Sequence, residues 1–185
     1  MSAEQARHGV AASLGTDQAN VDRITVVMLR DLFVDGDFVA PLGGQPSILD
    51  ASERSHMSDV GGLVRVLAGL EAGAIVVLLI TGWWLRGERP RRGRLLRSAA
   101  LGVGAAAFVL GVFFAVAFEA AFAAFHALFF KAGTWQFGPQ SNLIRLFPDA
   151  FWFETSLLAG VSILVAAVLA GWFARRDLRA VPAER

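Results

Sequence analysis

Residues 155–174 read TSLLAGVSILVAAVLAGWFA, twenty residues without a charge, and Arg175-Arg176 follow at once. A bilayer's hydrocarbon core takes about 20 apolar residues of helix. Helix is the one open-chain structure that satisfies its own backbone polar groups in lipid. Two more runs have the same character. Residues 63–85 are apolar apart from Arg65 and Glu71 near their start, and residues 98–125 carry the single charge Glu119. The pattern predicts an all-α polytopic membrane bundle with spans at about 60–85, 98–125 and 153–174. Gly102, Gly104 and Gly111 in the second run would allow close helix approach.

Composition agrees. Of 185 residues, 55% are hydrophobic and 18% charged, with a mean hydropathy of +0.53, where a soluble domain carries about 25% charged residues. The net charge of +1 gives no basic face able to neutralise a row of phosphates, which argues against nucleic acid as a partner. There is no cysteine, so disulfides, thiolate metal sites and a cysteine nucleophile are excluded.

The loops orient the bundle. Residues 86–97, RGERPRRGRLLR, hold six arginines and one glutamate, and Arg175, Arg176 and Arg179 follow the last run. Residues 126–150 hold only Lys131 and Arg145 as basic residues. Short basic loops stay in the cytoplasm. The expectation is that 86–97 and the 175–185 tail lie inside, and that 1–59 and the 126–152 loop lie outside. Trp83, Trp84 and Trp172 then mark the inner interface and Phe151-Trp152-Phe153 the outer one.

Residues 1–59 have four arginines and nine acidic residues and no spanning stretch. Within them Val21, Ile24, Val27, Met28 and Leu32 have helical spacing, predicting an amphipathic helix with Thr16 as its N-cap. Asp35-Gly36-Asp37 and the Pro41–Pro46 stretch predict an irregular connection, and Asp50 or Ser52 is placed to cap the first membrane helix. His8 is expected in a mobile N-terminus. An exported tail of this size implies one more membrane helix before it, so a missing N-terminal helix is expected.

Chemistry is expected where polar residues gather. His56 opens the first membrane helix and His126 closes the second, both on the outer side, although 70 positions separate them. Histidine titrates near neutral pH and serves as acid or base. The alternative is that both are interfacial side chains packed on aromatics. Glu119 lies two helical turns before His126, on the same face, and Asp59 one turn after His56. Either could orient an imidazole or enter a structural ion pair with Arg65. Ser52 and Ser55 lack the surroundings of a serine nucleophile. No ligand-spacing motif supports a metal site, and no cofactor is expected. The aromatics of 126–148 either face the membrane surface or cover an apolar site.

The block F-E-x-x-F-x-x-F-H-x-x-F-F-x-x-x-x-W-x-F-x-P-x-x-x-L-I-x-x-F-P at 118–148, with S-E-R-S-H-M-S-D-V at 52–60, resembles the two signatures of the lipoprotein intramolecular transacylase (Lit) family. The resemblance runs over about 14–174. Glu119 stands where that family has aspartate, Lys131-Ala132 replaces an Asp-Asn pair, and Gly138 replaces an aspartate. The resemblance implies a four-helix membrane bundle with an extracytoplasmic cap in the cytoplasmic membrane. It also implies transfer of the sn-2 acyl chain of a diacylglyceryl lipoprotein to the α-amino group of its N-terminal cysteine. His56 and His126 would be the essential histidines, supported by Asp59 and Glu119, with Ser52, Phe130, Trp135 and Phe137 binding substrate. Which histidine is base and which is acid stays open. A non-enzymatic scaffold or transporter subunit, or a membrane ester hydrolase using the same histidines, are the competing classes.

Overall fold

The computed structural model describes residues 2–34 and 36–179. Asp35 of the expected turn and the end of the tail, 180–185, lie outside the described residues. The helices are α1 (Ser2–Arg7), α2 (Val10–Ser13), α3 (Gln18–Val34), α4 (Ala51–Trp84), α5 (Arg89–Val116), α6 (Phe118–Phe129), α7 (Asn142–Leu146) and α8 (Asp149–Arg179), with a 3₁₀ turn at Leu85–Gly87. No strand forms among the described residues; Leu42 and Gln45 make an isolated bridge. Three stretches are long and apolar enough to cross a membrane: Ala51–Gly87, Arg89–Val116 and Asp149–Arg179. The chain is an all-helical membrane protein, as the apolar runs predicted.

The chain divides into two compact units, Met1–Leu70 with Phe122–Glu154, and Glu71–Ala121 with Thr155–Arg185. The first has an ordinary apolar core. On α3, Val21, Ile24 and Met28 are buried, the face that the spacing predicted. Phe38, Leu146 and Phe147 pack with them. Each such side chain contributes roughly 1.5–3 kcal/mol on burial. The cap of α3 is Asp17 rather than Thr16: its Oδ1 accepts the Asn20 N–H at 2.8 Å, serving the third amide of the helix. Phe38 sits at φ 55, a left-handed conformation costing about 1–2 kcal/mol for a residue with a Cβ. Burying its ring and donating its N–H to Asp31 Oδ2 at 3.0 Å offset that cost.

The N-terminal helix is packed, which corrects the expectation of a mobile segment. Gln5 is fully buried. Its Nε2 donates to the Leu146 carbonyl at 3.1 Å and its Oε1 accepts from the Thr25 hydroxyl at 3.0 Å, so α1, α3 and α7 are tied by one side chain. Arg7 pairs with Glu154 at 2.8 Å, and His8 Nε2 lies 3.2 Å from the same carboxylate.

The second unit exposes its apolar side chains: Leu78, Leu79, Val109, Leu110 and Val168 are all more than half exposed. In water such a surface would aggregate; in lipid it is the solvated face. Its helices meet through small residues and one ion pair. A Cβ on Gly93 would stand 3.0 Å from the Ala174 carbonyl oxygen, and one on Gly104 3.4 Å from the Ala167 Cβ. Gly102 and Gly111 have no such neighbour within 4 Å, so of the three glycines expected to mediate close approach only Gly104 does. Arg92 binds Asp177 through two bonds of 2.7 and 2.8 Å.

The run at 98–125 is not one helix. At Ala117, φ −135 and ψ 52 end α5, and α6 begins at Phe118. No proline or glycine marks the break. The 28 residues of α5 already span about 42 Å, more than the ~30 Å hydrocarbon core, so the crossing is complete before Ala117. The first membrane helix in turn starts at Ala51, ahead of the apolar run, because its cap lies there.

Candidate active site

The start of α4 is a capping box. Asp50 Oδ1 accepts the Glu53 N–H at 2.8 Å, and Glu53 Oε2 accepts the Asp50 N–H at 2.9 Å, so two amides without helical partners are satisfied reciprocally. The Glu53 amide and the Ser52 hydroxyl hold the Asp50 carboxyl below the usual carboxylate range. Ser52 is exposed and donates to Asp50 at 2.7 Å; it serves the cap.

One turn further, His56 is 6% exposed. Its ring stacks with that of His126 at a centroid distance of 5.9 Å and an interplanar angle of 29°. The two expected histidines are therefore brought together. Phe130 lies 5.0 Å and Phe137 5.6 Å from His56. Around His126 stand Phe122 at 4.1 Å, Trp135 at 4.8 Å, Phe130 at 5.5 Å and Phe125 at 5.6 Å. Phe130, Trp135 and Phe137 thus form part of an aromatic wall around the pair. Van der Waals contact on two sides of an inserted group needs about 7 Å, so the gap between the rings is too narrow to admit one.

His126 Nδ1 lies 2.8 Å from the Phe122 carbonyl oxygen. That oxygen only accepts, so Nδ1 carries the proton, and in the neutral ring Nε2 holds the lone pair. Burial lowers the His126 pKa, opposed by the Phe122 bond. Burial, the larger effect, favours the neutral ring, and the Phe122 bond leaves its free nitrogen at Nε2. The buried His56 Nδ1 and Trp135 Nε1 find no hydrogen-bond partner. An unpaired buried polar atom costs about 1–3 kcal/mol, and native structures hold few of them.

The two carboxylates expected to hold the imidazoles are placed differently. Asp59 is exposed and makes no hydrogen bond to either ring. Glu119 is exposed and belongs to the other unit; the group bonded to the His126 ring is the Phe122 carbonyl. Two surface clefts share Asn20, Leu42, Gly43 and Gln45, and neither is lined by a histidine. Among the described residues no group of three or more His, Cys, Asp or Glu could hold a metal ion.

A residue that sequence reading passed over is Glu53. It is 2% exposed, and its Oε1 accepts from the Ser141 hydroxyl and from the Leu143 N–H, the latter at 3.1 Å. The D-x-x-E spacing of the capping box was available in the sequence; the link to Ser141 spans 88 positions and was not.

The family model for the lipoprotein intramolecular transacylase Lit matches residues 25–152. No curated protein matches the chain. Among solved structures, the membrane integral lipoprotein intramolecular transacylase Lit from Bacillus cereus is similar, with a TM-score of 0.82 at 19% identity, over 96% of this chain and 81% of that one. At that identity the likeness speaks for the fold, while the matched segment contains both stacked histidines and the aromatic wall. The chain belongs to the lipoprotein intramolecular transacylase (Lit) family.

Proposed function

We propose that this protein moves the sn-2 acyl chain of a diacylglyceryl lipoprotein onto the α-amino group of that lipoprotein's N-terminal cysteine, giving the lyso form. The observation that carries the reading is the pair of imidazoles 5.9 Å apart inside an aromatic wall. The site would face the extracytoplasmic side of the cytoplasmic membrane, from the arginine bias of 86–97 and the tail.

The reaction breaks the ester C–O bond and forms an amide C–N bond. His126 Nε2 takes the proton of the ammonium, leaving the amine free to attack the ester carbonyl. The N–H proton lost as the amide forms passes by way of His56 to the departing glycerol oxygen. The tautomer set by the Phe122 carbonyl is what favours His126 as the base. Such proton transfers are worth about 10²–10⁴-fold. The Trp135 indole N–H, buried and unpartnered, suits the ester oxygen as negative charge develops on it. The aromatic rings would line the acyl chain, and holding amine and ester together removes much of the entropic barrier. Both reactants belong to one molecule, so no enzyme nucleophile is required. Phe130, Trp135 and Phe137 serve as substrate contacts; Asp59 would act on the His56 ring through charge alone.

Co-expression with a diacylglyceryl lipoprotein tests the reading. Mass spectrometry should find an N-acyl, S-monoacylglyceryl terminus that disappears with His56→Ala or His126→Ala. Simple loss of one acyl chain would indicate a hydrolase, and an unchanged terminus a scaffold.

A further inference from the structure

The segment that carries Trp135 and Phe137 is not held to the histidines by apolar contact alone. It is bolted at its far end to the start of α4. Three consecutive residues make the attachment. The Ser141 hydroxyl and the Leu143 N–H donate to Glu53 Oε1, and Asn142 Nδ2 donates to the Ile48 carbonyl at 2.8 Å. Ser141 also caps α7 by accepting the Ile144 N–H at 3.3 Å. Glu53 stands one turn before His56 on the same helix, and Ser141 stands four residues after Phe137. The residue that anchors the segment is therefore rigidly coupled to one of the two rings the segment covers.

A carboxylate used only to cap α4 needs one bond, which Oε2 makes with the Asp50 amide. The second oxygen is spent on the other segment, and both are withdrawn from water. Charge-assisted bonds of this kind are about twice as strong as neutral ones.

We infer that Glu53 and Ser141 form a latch that keeps the Trp135–Phe137 wall closed over the histidines, excludes water from the acyl group, and so directs it to the amine rather than to hydrolysis. Glu53 and Ser141 are positioning residues; neither touches the reacting atoms. The inference rests on the acyl-transfer reading above. With the wall closed, the tethered amine is the nucleophile in reach and the product is the amide. With the wall loosened, water attacks the same ester carbonyl, and the products are a free fatty acid and the same glycerol hydroxyl. Exclusion of water from reactive acyl groups is a recurring use of closed sites.

The test uses the full chain in detergent or liposomes with a synthetic diacylglyceryl lipopeptide, and reads the ratio of released fatty acid to N-acyl product. That ratio does not depend on how much enzyme is folded. The wild-type chain should give a low ratio. Ser141→Ala should raise it roughly tenfold, as expected for losing one hydrogen bond to a charged group, and Glu53→Gln at least as much. Ser141→Thr, which keeps the hydroxyl, should restore the low ratio. An unchanged ratio in Ser141→Ala overturns the latch, and so does a Ser141→Ala chain that fails to accumulate in the membrane, because the bond would then serve folding. If the wild-type chain itself forms no N-acyl product, it is the acyl-transfer reading that fails.

Discussion

His126 Nδ1 and the Phe122 carbonyl oxygen are 2.8 Å apart, one turn from each other on α6. The carbonyl thus does the work that triads give to a buried carboxylate: it selects the tautomer and fixes the ring. It differs in one respect. A carboxylate would stabilise the imidazolium strongly, whereas a carbonyl does so only weakly. The ring therefore remains a weaker base, suited to returning its proton.

This has a consequence for pH. Burial lowers the His126 pKa from its ordinary 6.5, so the ring is more fully neutral at pH 7 than a free imidazole. The limb of kcat/KM that reports the enzyme's base should have its midpoint below 6.5, separate from the substrate amine near 8. The same shift acts on stability. The unfolded chain binds the proton more readily, so the full contribution is present above 6.5 and declines as pH falls from 6.5 towards the folded value. Titration of the His126 ring by NMR in the full chain checks the position; a midpoint above 6.5 would contradict the geometry.

Removing either ring should be far more costly to turnover than to folding. His56→Ala and His126→Ala should each lower kcat by about 10²–10⁴-fold, with both proteins still inserted in the membrane. If one variant keeps wild-type turnover, the acid and base roles do not both belong to this pair.

The indole makes a separate prediction. Trp135→Phe keeps an aromatic ring against His126 and removes only the N–H. If that N–H meets the developing oxyanion, kcat should fall by about 10²-fold with KM little changed. A variant that changes KM alone would make Trp135 a wall and not a donor.

Much of this arrangement could be read from the chain alone. The apolar runs gave three spans, the spacing of Val21, Ile24 and Met28 gave the buried face of α3, and the arginines of 86–97 and of the tail, by orienting the spans, set His56 and His126 at one level. Period and composition carry such information because they act locally. What escaped was non-local or conformational. Glu53 carries no mark of its second role because Ser141, its partner 88 positions away, has no sequence signal. The break at Ala117 uses no proline or glycine. The His126 ring is held by a backbone carbonyl, which every residue possesses, whereas the carboxylates Glu119 and Asp59 are distinctive in the sequence but make no hydrogen bond to either ring. The packing of the segment that carries His8 has no periodicity to announce it, because it is short and polar; two hydrogen bonds from the one buried amide of Gln5 decide it.

That amide yields the last prediction. Gln5 is fully buried and satisfies both the Leu146 carbonyl and the Thr25 hydroxyl. Gln5→Ala leaves both without a partner and opens a cavity the size of a carboxamide. Each buried group left unpaired costs about 1–3 kcal/mol, though water entering the cavity would recover part. Gln5→Leu fills the volume but still strands the two polar atoms, so it should be no more stable than Gln5→Ala, opposite to the order expected for an apolar site. Thermal unfolding of the two variants in the same detergent distinguishes the cases. A clearly higher Tm for the leucine variant would mean that shape, rather than hydrogen bonding, is what holds α1 against α3 and α7.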